Sequence, residues 1–144
     1  MNPTKLASLL RICFLVGVAV DAVACIMMLF PVVWASFYHI PEFIPSMEVS
    51  RALGTAAPLM LGWTVLLLWA VLKPVERADI LLITVVPVLV GMMLSTAEQI
   101  LDWGATPLSQ LPTLAMQLVL SGLFLYAYAI ARKTPAIASG GSGQ

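Results

Sequence analysis

The sequence predicts an all-α membrane protein, a four-helix antiparallel transmembrane bundle with both termini in the cytoplasm. Three observations lead to this fold class: the composition is 61% hydrophobic and only 10% charged, long apolar runs occur four times, and the basic residues are unevenly divided among the loops. A soluble domain typically carries about 25% charged residues and about 45–50% apolar ones. A soluble core of 144 residues could not bury so much apolar surface, so we expect lipid to solvate much of the chain.

Four apolar runs are each long enough to cross a bilayer as a helix, which takes about 20 residues. They cover about residues 9–34, 51–72, 79–101 and 112–131. Pro107 suits the first position of the fourth helix. The segment 73–77 is short enough to be a tight hairpin that makes the second and third spans antiparallel neighbours. We expect one domain over residues 1–135, followed by a flexible Gly/Ser tail at 136–144 with the composition of a linker, native or added.

The basic residues predict the orientation of the spans. With four spans, the N-terminus, the second loop and the C-terminal segment share one side of the membrane. That side carries six of the seven basic residues, namely Lys5, Arg11, Lys73, Arg77, Arg132 and Lys133. The other side carries only Arg51. Because Lys and Arg accumulate in cytoplasmic loops, both termini are expected in the cytoplasm of a multi-pass protein of the cell inner (plasma) membrane.

The loop between the first two spans, residues 36–49, is longer and amphipathic. Its aromatic and aliphatic side chains alternate with His39, Glu42 and Glu48. This composition is typical of a segment that lies in the membrane interface and anchors the protein there. A gate over a cavity is the alternative interpretation.

One carboxylate, Asp21, lies at the centre of the first apolar run, with no other acidic or basic residue between Arg11 and His39. A charged group at the bilayer centre costs about 2.5–3.5 kcal/mol on insertion scales, so Asp21 is not expected to face lipid. The centres of the other runs carry small residues: Gly62, Gly91, Ser121 and Gly122. Small residues permit either close helix packing or a polar pocket beside the carboxylate. We expect Asp21 to be inward-facing, largely neutral, and hydrogen-bonded to Ser121, Gln117, a free carbonyl or water.

Each run carries a stripe of small or polar residues at helical spacing, and we expect these stripes to face the bundle interior. They are Phe14, Gly17, Asp21, Ala24, Cys25 and Met28 on the first span, Gly54, Pro58 and Gly62 on the second, Thr84, Pro87, Gly91, Ser95, Glu98 and Asp102 on the third, and Gln117, Ser121 and Tyr128 on the fourth. Pro58 and Pro87 each free the carbonyl four residues earlier. A packing kink and a broken helix that lines a site both explain such prolines.

A second group of charges is expected near the outer surface. Glu98 and Asp102 are four residues apart on one face of the third span, and Arg51 begins the second span at a matching height. We expect Arg51 to form a salt bridge with Glu98, or with Asp102 if the helices are staggered. This group is either a structural clamp or one end of an ion path that leads to Asp21.

The sequence contains no motif for enzymatic chemistry. It has one histidine and lacks a CxxC pair, a P-loop and a dinucleotide fingerprint. Cys13 and Cys25 are 12 residues apart on one helix, about 18 Å, which is too far for a disulfide. We therefore expect no catalytic residues, no metal ligands and no cofactor, and the scattered basic residues do not predict nucleic-acid binding.

Three functions remain compatible with the sequence. The first is an oligomeric channel or transporter-like protein for a small ion or solute, with a candidate site of Asp21, Glu98, Asp102, Arg51, Gln117 and Ser121. The second is a membrane protein that binds a lipophilic ligand, cationic or neutral, between Asp21 and the outer loop. The third is a non-catalytic subunit or assembly factor of a larger membrane complex. Expected partners are the lipid bilayer and either further copies of the chain or a larger complex.

Overall fold

The computed structural model describes residues 2–37, 44–101 and 107–133, in which every regular element is a helix. In chain order these are α1 (Pro3–Leu29), α2 (Pro31–Phe37), α3 (Met47–Leu72), α4 (Asp79–Ile83), a π-helical segment (Thr84–Leu89), α5 (Val90–Leu101) and α6 (Pro107–Lys133). Four helical stretches are long and apolar enough to cross a membrane: Thr4–Leu29, Met47–Leu72, Asp79–Leu101 and Gln110–Lys133. The four predicted spans are confirmed in that sense. Residues 38–43 of the expected interfacial loop, Asp102 and the Gly/Ser tail lie outside the described residues.

The first helix begins earlier and ends earlier than its apolar run. Asn2 caps α1, because its side-chain oxygen accepts a hydrogen bond from the Thr4 amide at 3.3 Å, and Pro3 occupies the first turn. At the other end Pro31 disfavours a helical conformation of the residue before it. Phe30 accordingly has φ −121° and ψ 83°, and the chain restarts as the short helix α2.

Capping and turn hydrogen bonds also fix the second helix. Ser46 caps α3 by accepting a hydrogen bond from the Val49 amide at 3.2 Å. At its other end the Lys73 amide donates to the Ala70 carbonyl, and the Arg77 amide then donates to the Lys73 carbonyl at 3.1 Å. The expected hairpin at residues 73–77 is therefore present between α3 and α4.

The third span is helical throughout but contains an irregular central turn. Thr84–Leu89 is a π-helix, and it contains Pro87. A proline removes one backbone donor and its ring crowds the preceding turn, so a wider turn lets the helix continue around it. The sequence predicted an interruption at Pro87, and the π-helical segment is the form that it takes.

The first span packs on the second, and the third span packs on the fourth, α6, which also contacts the first. The first helix lies along α3, and buried positions on α1 recur at alternating spacings of four and three residues: Leu6, Leu10, Cys13 and Gly17. Such spacing is typical of helices that pack along their length. The helix α6 contacts α1 on one side and α4, the π-helical segment and α5 on the other. The prediction that the hairpin makes the second and third spans packed neighbours is wrong, because α3 makes no extensive contact with the third span.

The apolar core lies almost entirely in the half of the bundle that contains the hairpin. We call this the hairpin half: α1 up to Gly17, α3 from Leu67, α4, the π-helical segment, and α6 from Phe124. Its buried cluster includes Leu10, Phe14, Leu67, Leu81 and Phe124. The remaining part of the bundle, the far half, has no comparable cluster among the described residues. Large apolar side chains are therefore buried mainly at one end of the spans, the end that carries the hairpin.

Charged side chains join three helices at the end of the hairpin half. The Asp79 carboxylate at the start of α4 accepts a hydrogen bond from the Arg132 guanidinium at 2.6 Å, and Arg132 also donates to the Tyr128 hydroxyl at 3.1 Å. Arg77 lies 3.3 Å above the centre of the Trp69 ring and donates to the Trp69 carbonyl. These contacts fix the hairpin to the ends of α3 and α6.

The expected small-residue stripes on the second and third spans do not face the interior. Gly54, Pro58 and Gly62 are exposed, and the buried positions of α3 are Ala57, Thr64, Leu67 and Ala70. Pro87, Gly91, Ser95 and Glu98 are exposed as well, although Thr84 is buried as expected. On α3 the reason is the register of packing: helices that lie side by side bury positions three and four residues apart, whereas a strict four-residue stripe turns away from its neighbour. The third span instead buries Leu81, Val85, Leu89 and Thr96. The stripes on α1 and α6 are at least half-buried.

Candidate functional site

Four buried polar atoms without a hydrogen-bond partner mark the candidate site. In the described part of the chain they are Asp21 Oδ2, Trp63 Nε1, Gln117 Oε1 and Ser121 Oγ. We call these four side chains the polar layer. A buried polar group that lacks a partner costs about 1–3 kcal/mol, so such atoms are rare and each requires an explanation.

The contacts around Gly17 place three members of the layer at a common level. A Cβ added at Gly17 would lie 3.0 Å from Leu67 Cδ1 and 3.2 Å from Phe124 Cζ, so these three residues meet where α1, α3 and α6 converge. Asp21 is four residues from Gly17, Trp63 is four from Leu67, and Ser121 is three from Phe124. At 1.5 Å per residue, each lies about 5–6 Å from the meeting point.

The three residues lie on the same side of that meeting point, away from the hairpin. On α1 the direction follows from two contacts: Gly17 lies near Leu67, and the Cys25 thiol donates to the Ala57 carbonyl at 3.4 Å. Because Ala57 is farther from the hairpin than Leu67, α1 runs away from the hairpin between Gly17 and Cys25. On α6 it follows from Arg132, which binds Asp79 at the hairpin. Asp21, Trp63 and Ser121 therefore form one level at the start of the far half, and Gln117 lies one turn farther out.

Gln117 is the most enclosed member of the layer, with 1% of its surface exposed. Its Nε2 donates to Thr96 Oγ1 at 3.5 Å, and Thr96 Oγ1 donates in turn to the Met92 carbonyl at 2.9 Å. These contacts hold the amide between α5 and α6. The Gln117 carbonyl oxygen remains without a partner, although the residue is buried almost completely.

Asp21 is half-buried, and it forms no ion pair within the described residues. Arg11, on the same helix, is ten residues away, about 15 Å along the axis. The carboxylate is thus held among helices without a basic side chain to neutralise it. Any neutralising charge or proton has to come from outside the described fold.

The layer is closed on the hairpin side and loosely packed on the far side. Toward the hairpin, Phe14, Leu67 and Phe124 are each at most 1% exposed and fill the space between the helices. Beyond the layer, the described residues form no comparable buried apolar cluster, so the hairpin side is the more completely filled of the two.

The structure brings together some of the predicted site residues and separates others. Three of the candidate residues, Asp21, Gln117 and Ser121, belong to the polar layer, but Asp21 Oδ2 makes no hydrogen bond to either of the other two. Arg51 and Glu98 are both exposed and form no salt bridge, so the predicted clamp between them is wrong. The salt bridge is absent because of the arrangement of the helices: α3 packs on α1 and α5 packs on α6, which keeps the second and third spans apart. The alternative partner, Asp102, lies outside the described residues.

Trp63 is the functional candidate that the sequence reasoning missed. Tryptophan in membrane proteins is enriched at the two interfaces, where its N–H finds water. Trp63 instead lies near the middle of α3, sixteen residues after its first residue and nine before its last. A tryptophan at the centre of a span is the signal that could have identified it.

The layer is not a metal centre of an ordinary kind. The described residues contain no group of three or more His, Cys, Asp or Glu side chains that could hold a metal ion. What the arrangement offers is one carboxylate, one amide carbonyl, one hydroxyl and one indole N–H. These groups can bind a small species that supplies hydrogen-bond donors and one positive charge.

Comparison with known proteins finds no matching protein-family model, no matching curated protein and no matching solved structure. The functional argument therefore depends on the geometry of the polar layer.

Proposed function

We propose that this chain is a small transporter-like membrane protein that holds a positively charged small solute at the polar layer, midway along its spans. The observation that carries the proposal is the set of four unpartnered buried polar atoms, one of them on a carboxylate; three lie at one level on α1, α3 and α6, and the fourth, on Gln117, lies one turn farther out. Ionisable residues inside spans usually mark the path of an ion or a substrate. A cation at Asp21 would neutralise the carboxylate and give the neighbouring acceptors a donor.

The proposal includes an antiparallel bundle with both termini on the cytoplasmic side of the plasma membrane. Two contacts support the antiparallel arrangement: Gly17 lies near Leu67, and Cys25 lies near Ala57. Residue numbers therefore rise along α1 while they fall along α3. The hairpin half then faces the cytoplasm together with Lys73, Arg77 and Arg132, in agreement with the distribution of basic residues. In this orientation the loosely packed far half opens the polar layer toward the outside.

Four helices enclose little space, so we propose that the working form is an oligomer or part of a larger membrane complex. The exposed surface of the far half, with Gly54, Gly62 and Gly91 at its centre, is available for such contacts. Small residues at a helix surface allow close approach between helices in lipid. The pathway would then be completed between copies rather than within one chain.

Uptake into reconstituted vesicles tests the proposed function. Phosphatidylcholine vesicles with the wild-type chain should take up at least one of radiolabelled sodium, rubidium or ethanolammonium faster than empty vesicles. Asp21→Asn should reduce that uptake to the background, because the amide keeps the shape of the carboxylate but not its charge. Glu98→Gln is the matched control: it removes an exposed carboxylate on α5 and should leave uptake unchanged.

Two results would contradict the proposal. One is uptake by Asp21→Asn that equals uptake by Glu98→Gln, which would mean that Asp21 does not bind the transported ion. The other is background uptake of all three probes by a wild-type protein that is folded and monodisperse. Asp21→Asn should keep its elution profile and melting temperature, so a loss of uptake reports on the site rather than on folding.

A binder of a lipophilic cation without transport is the second candidate, and Trp63 favours it. An indole ring beside a carboxylate suits a ligand with an apolar body and a positive charge. The third interpretation, in which Asp21 only joins two helices, has less support, since Asp21 Oδ2 has no partner on a neighbouring helix. Direct binding of a cation without flux would select the second candidate.

A further inference from the structure

The polar layer has more acceptors than donors. Asp21 Oδ2, Gln117 Oε1 and Ser121 Oγ can each accept a hydrogen bond, whereas only the Trp63 indole must donate one. A ligand that satisfies these three acceptors therefore brings several N–H or O–H donors on a small head group. Because the only ionisable member is a carboxylate, the head group also carries a single positive charge.

We propose that the ligand is a protonated primary amine with an apolar body, recognised through its N–H donors. This inference rests on the proposed function and names its substrate class. A primary ammonium has three N–H donors and one charge, and the layer offers three acceptors, one of which belongs to the carboxylate. Gln117, 1% exposed and held on its Nε2 side by Thr96, presents its carbonyl oxygen as a fixed acceptor.

Two other kinds of cation fit the layer less well. Divalent metal ions take about six to eight oxygen ligands, usually with several carboxylates, and the described residues contain no cluster of that kind. A quaternary ammonium has the charge but no N–H, so Gln117 Oε1 and Ser121 Oγ would stay without a partner. Burial of an unpartnered acceptor is unfavourable, and the layer therefore distinguishes primary from quaternary amines.

The surroundings of the layer favour an apolar body on that amine. The floor on the hairpin side consists of Phe14, Leu67 and Phe124. On the far side the described residues form no comparable apolar cluster, so the space between the helices is less completely filled there. An aryl or alkyl group could occupy this space while its ammonium group lies at Asp21.

Direct binding to the protein in phosphatidylcholine nanodiscs tests the inference. The probe is radiolabelled phenethylammonium, and the competitors are its trimethylated quaternary analogue, phenethyl alcohol and sodium. We expect the quaternary analogue and the alcohol to compete about tenfold less well than unlabelled phenethylammonium, since each lacks either the donors or the charge. Sodium should not compete at equal concentration, and empty nanodiscs provide the background.

Variants of the layer separate the parts of the recognition. Asp21→Asn should weaken binding about tenfold or more, and Ser121→Ala about threefold to tenfold, the range for one hydrogen bond to a ligand. Matched controls are Glu98→Gln for the carboxylate and Ser95→Ala for the hydroxyl, because both residues are exposed on α5. Neither control should change the affinity. The small Ser121→Ala change keeps the test valid if Asp21→Asn does not fold.

The possible failures have different meanings. If the quaternary analogue competes as well as phenethylammonium while Asp21→Asn still abolishes binding, the cation site stands and the assignment to primary amines is overturned. If phenethylammonium does not bind above background while vesicles take up sodium or rubidium in an Asp21-dependent way, the substrate class is again wrong and the proposed function stands. If the probe binds equally to wild type, Asp21→Asn and Ser121→Ala, the polar layer is not the binding site of this amine and the inference fails. The proposed function fails as well if uptake is also independent of Asp21.

Discussion

The hairpin half and the far half of this bundle are built from different side chains. The hairpin half buries large apolar residues, among them Leu10, Phe14 and Phe124, and a network of charged groups closes its end. Apart from Leu120, the buried residues described in the far half are small or polar, such as Ala57, Thr96 and Gln117. In lipid the hydrophobic effect does not hold helices together, so packing contacts determine where a bundle is stable.

The two halves therefore suit different roles: the hairpin half holds the helices together, and the proposed binding site lies beyond it. Dense packing in the hairpin half can hold α1, α3 and α6 at fixed distances, and the polar layer lies directly beyond that packing. Functional groups are best positioned when the elements that carry them are rigid. Under the proposed function, the less densely packed far half would leave a route to Asp21.

Loss of the Phe124 ring should have the largest effect on stability. Phe124 is 1% exposed and contacts the position where α1 and α6 meet. Phe124→Ala should lower the free energy of unfolding by about 3 kcal/mol, the low end for a buried aromatic, because the cavity term remains in lipid. Tyr126→Ala, at a site that is 61% exposed on the same helix, should cost well under half as much. Equal losses in chemical unfolding in mixed micelles would contradict the comparison.

A leucine at Gly17 should have the next largest effect. A Cβ there would already lie 3.0 Å from Leu67 Cδ1, so the rest of a leucine side chain would force the helices apart. We expect Gly17→Leu to cost about 1–3 kcal/mol, the usual range for overpacking. Gly62→Leu is the matched control, since nothing lies within 4 Å of a Cβ at that position. Melting temperatures should fall for the first variant and change little for the second.

The contrast between Gly17 and Gly62 also shows how far the sequence could predict this molecule. Composition and run length identified four spans, because those signals depend only on each segment and the thickness of a bilayer. The stripe on α1 and the stripe on α6 faced inward as expected, but the Gly54–Gly62 stripe of α3 did not. A glycine fits both at a close contact and on an open surface, so its identity alone does not choose between them.

The candidate site was predicted in part for the same reason. Asp21, Gln117 and Ser121 were identified because polar groups inside a span seldom face lipid. The pairing of Arg51 with Glu98 failed, since it assumed that a hairpin keeps its two helices in contact along their length. Which helices become neighbours depends on the packing of all four, and Trp63 gained its place in the layer only through α3 lying on α1.

Removal of the Gln117 amide should have a smaller effect, of the opposite sign. Gln117 Oε1 has no partner in a buried position, and its Nε2 contact with Thr96 is long at 3.5 Å. Gln117→Leu should raise the free energy of unfolding by about 1 kcal/mol without ligand, because it removes a buried unpartnered acceptor. The same variant should weaken phenethylammonium binding. A variant that is less stable than wild type would mean that the amide contributes to folding and not to ligand recognition.

The ion pair of Asp79 and Arg132 should have the smallest effect, although it joins two helices. Both side chains are exposed, and exposed pairs contribute about 0–1 kcal/mol since water screens them and their side chains lose freedom on pairing. Asp79→Asn should therefore lower the free energy of unfolding by less than about 1 kcal/mol, and a double-mutant cycle with Arg132→Gln should give a coupling that declines as salt is added. Lys73 and Glu76, an exposed pair within the hairpin, provide the control, because they link no separate helices. A coupling well above 1 kcal/mol that is insensitive to salt would mean that polar contacts, rather than the apolar packing around Phe124, hold the hairpin half together.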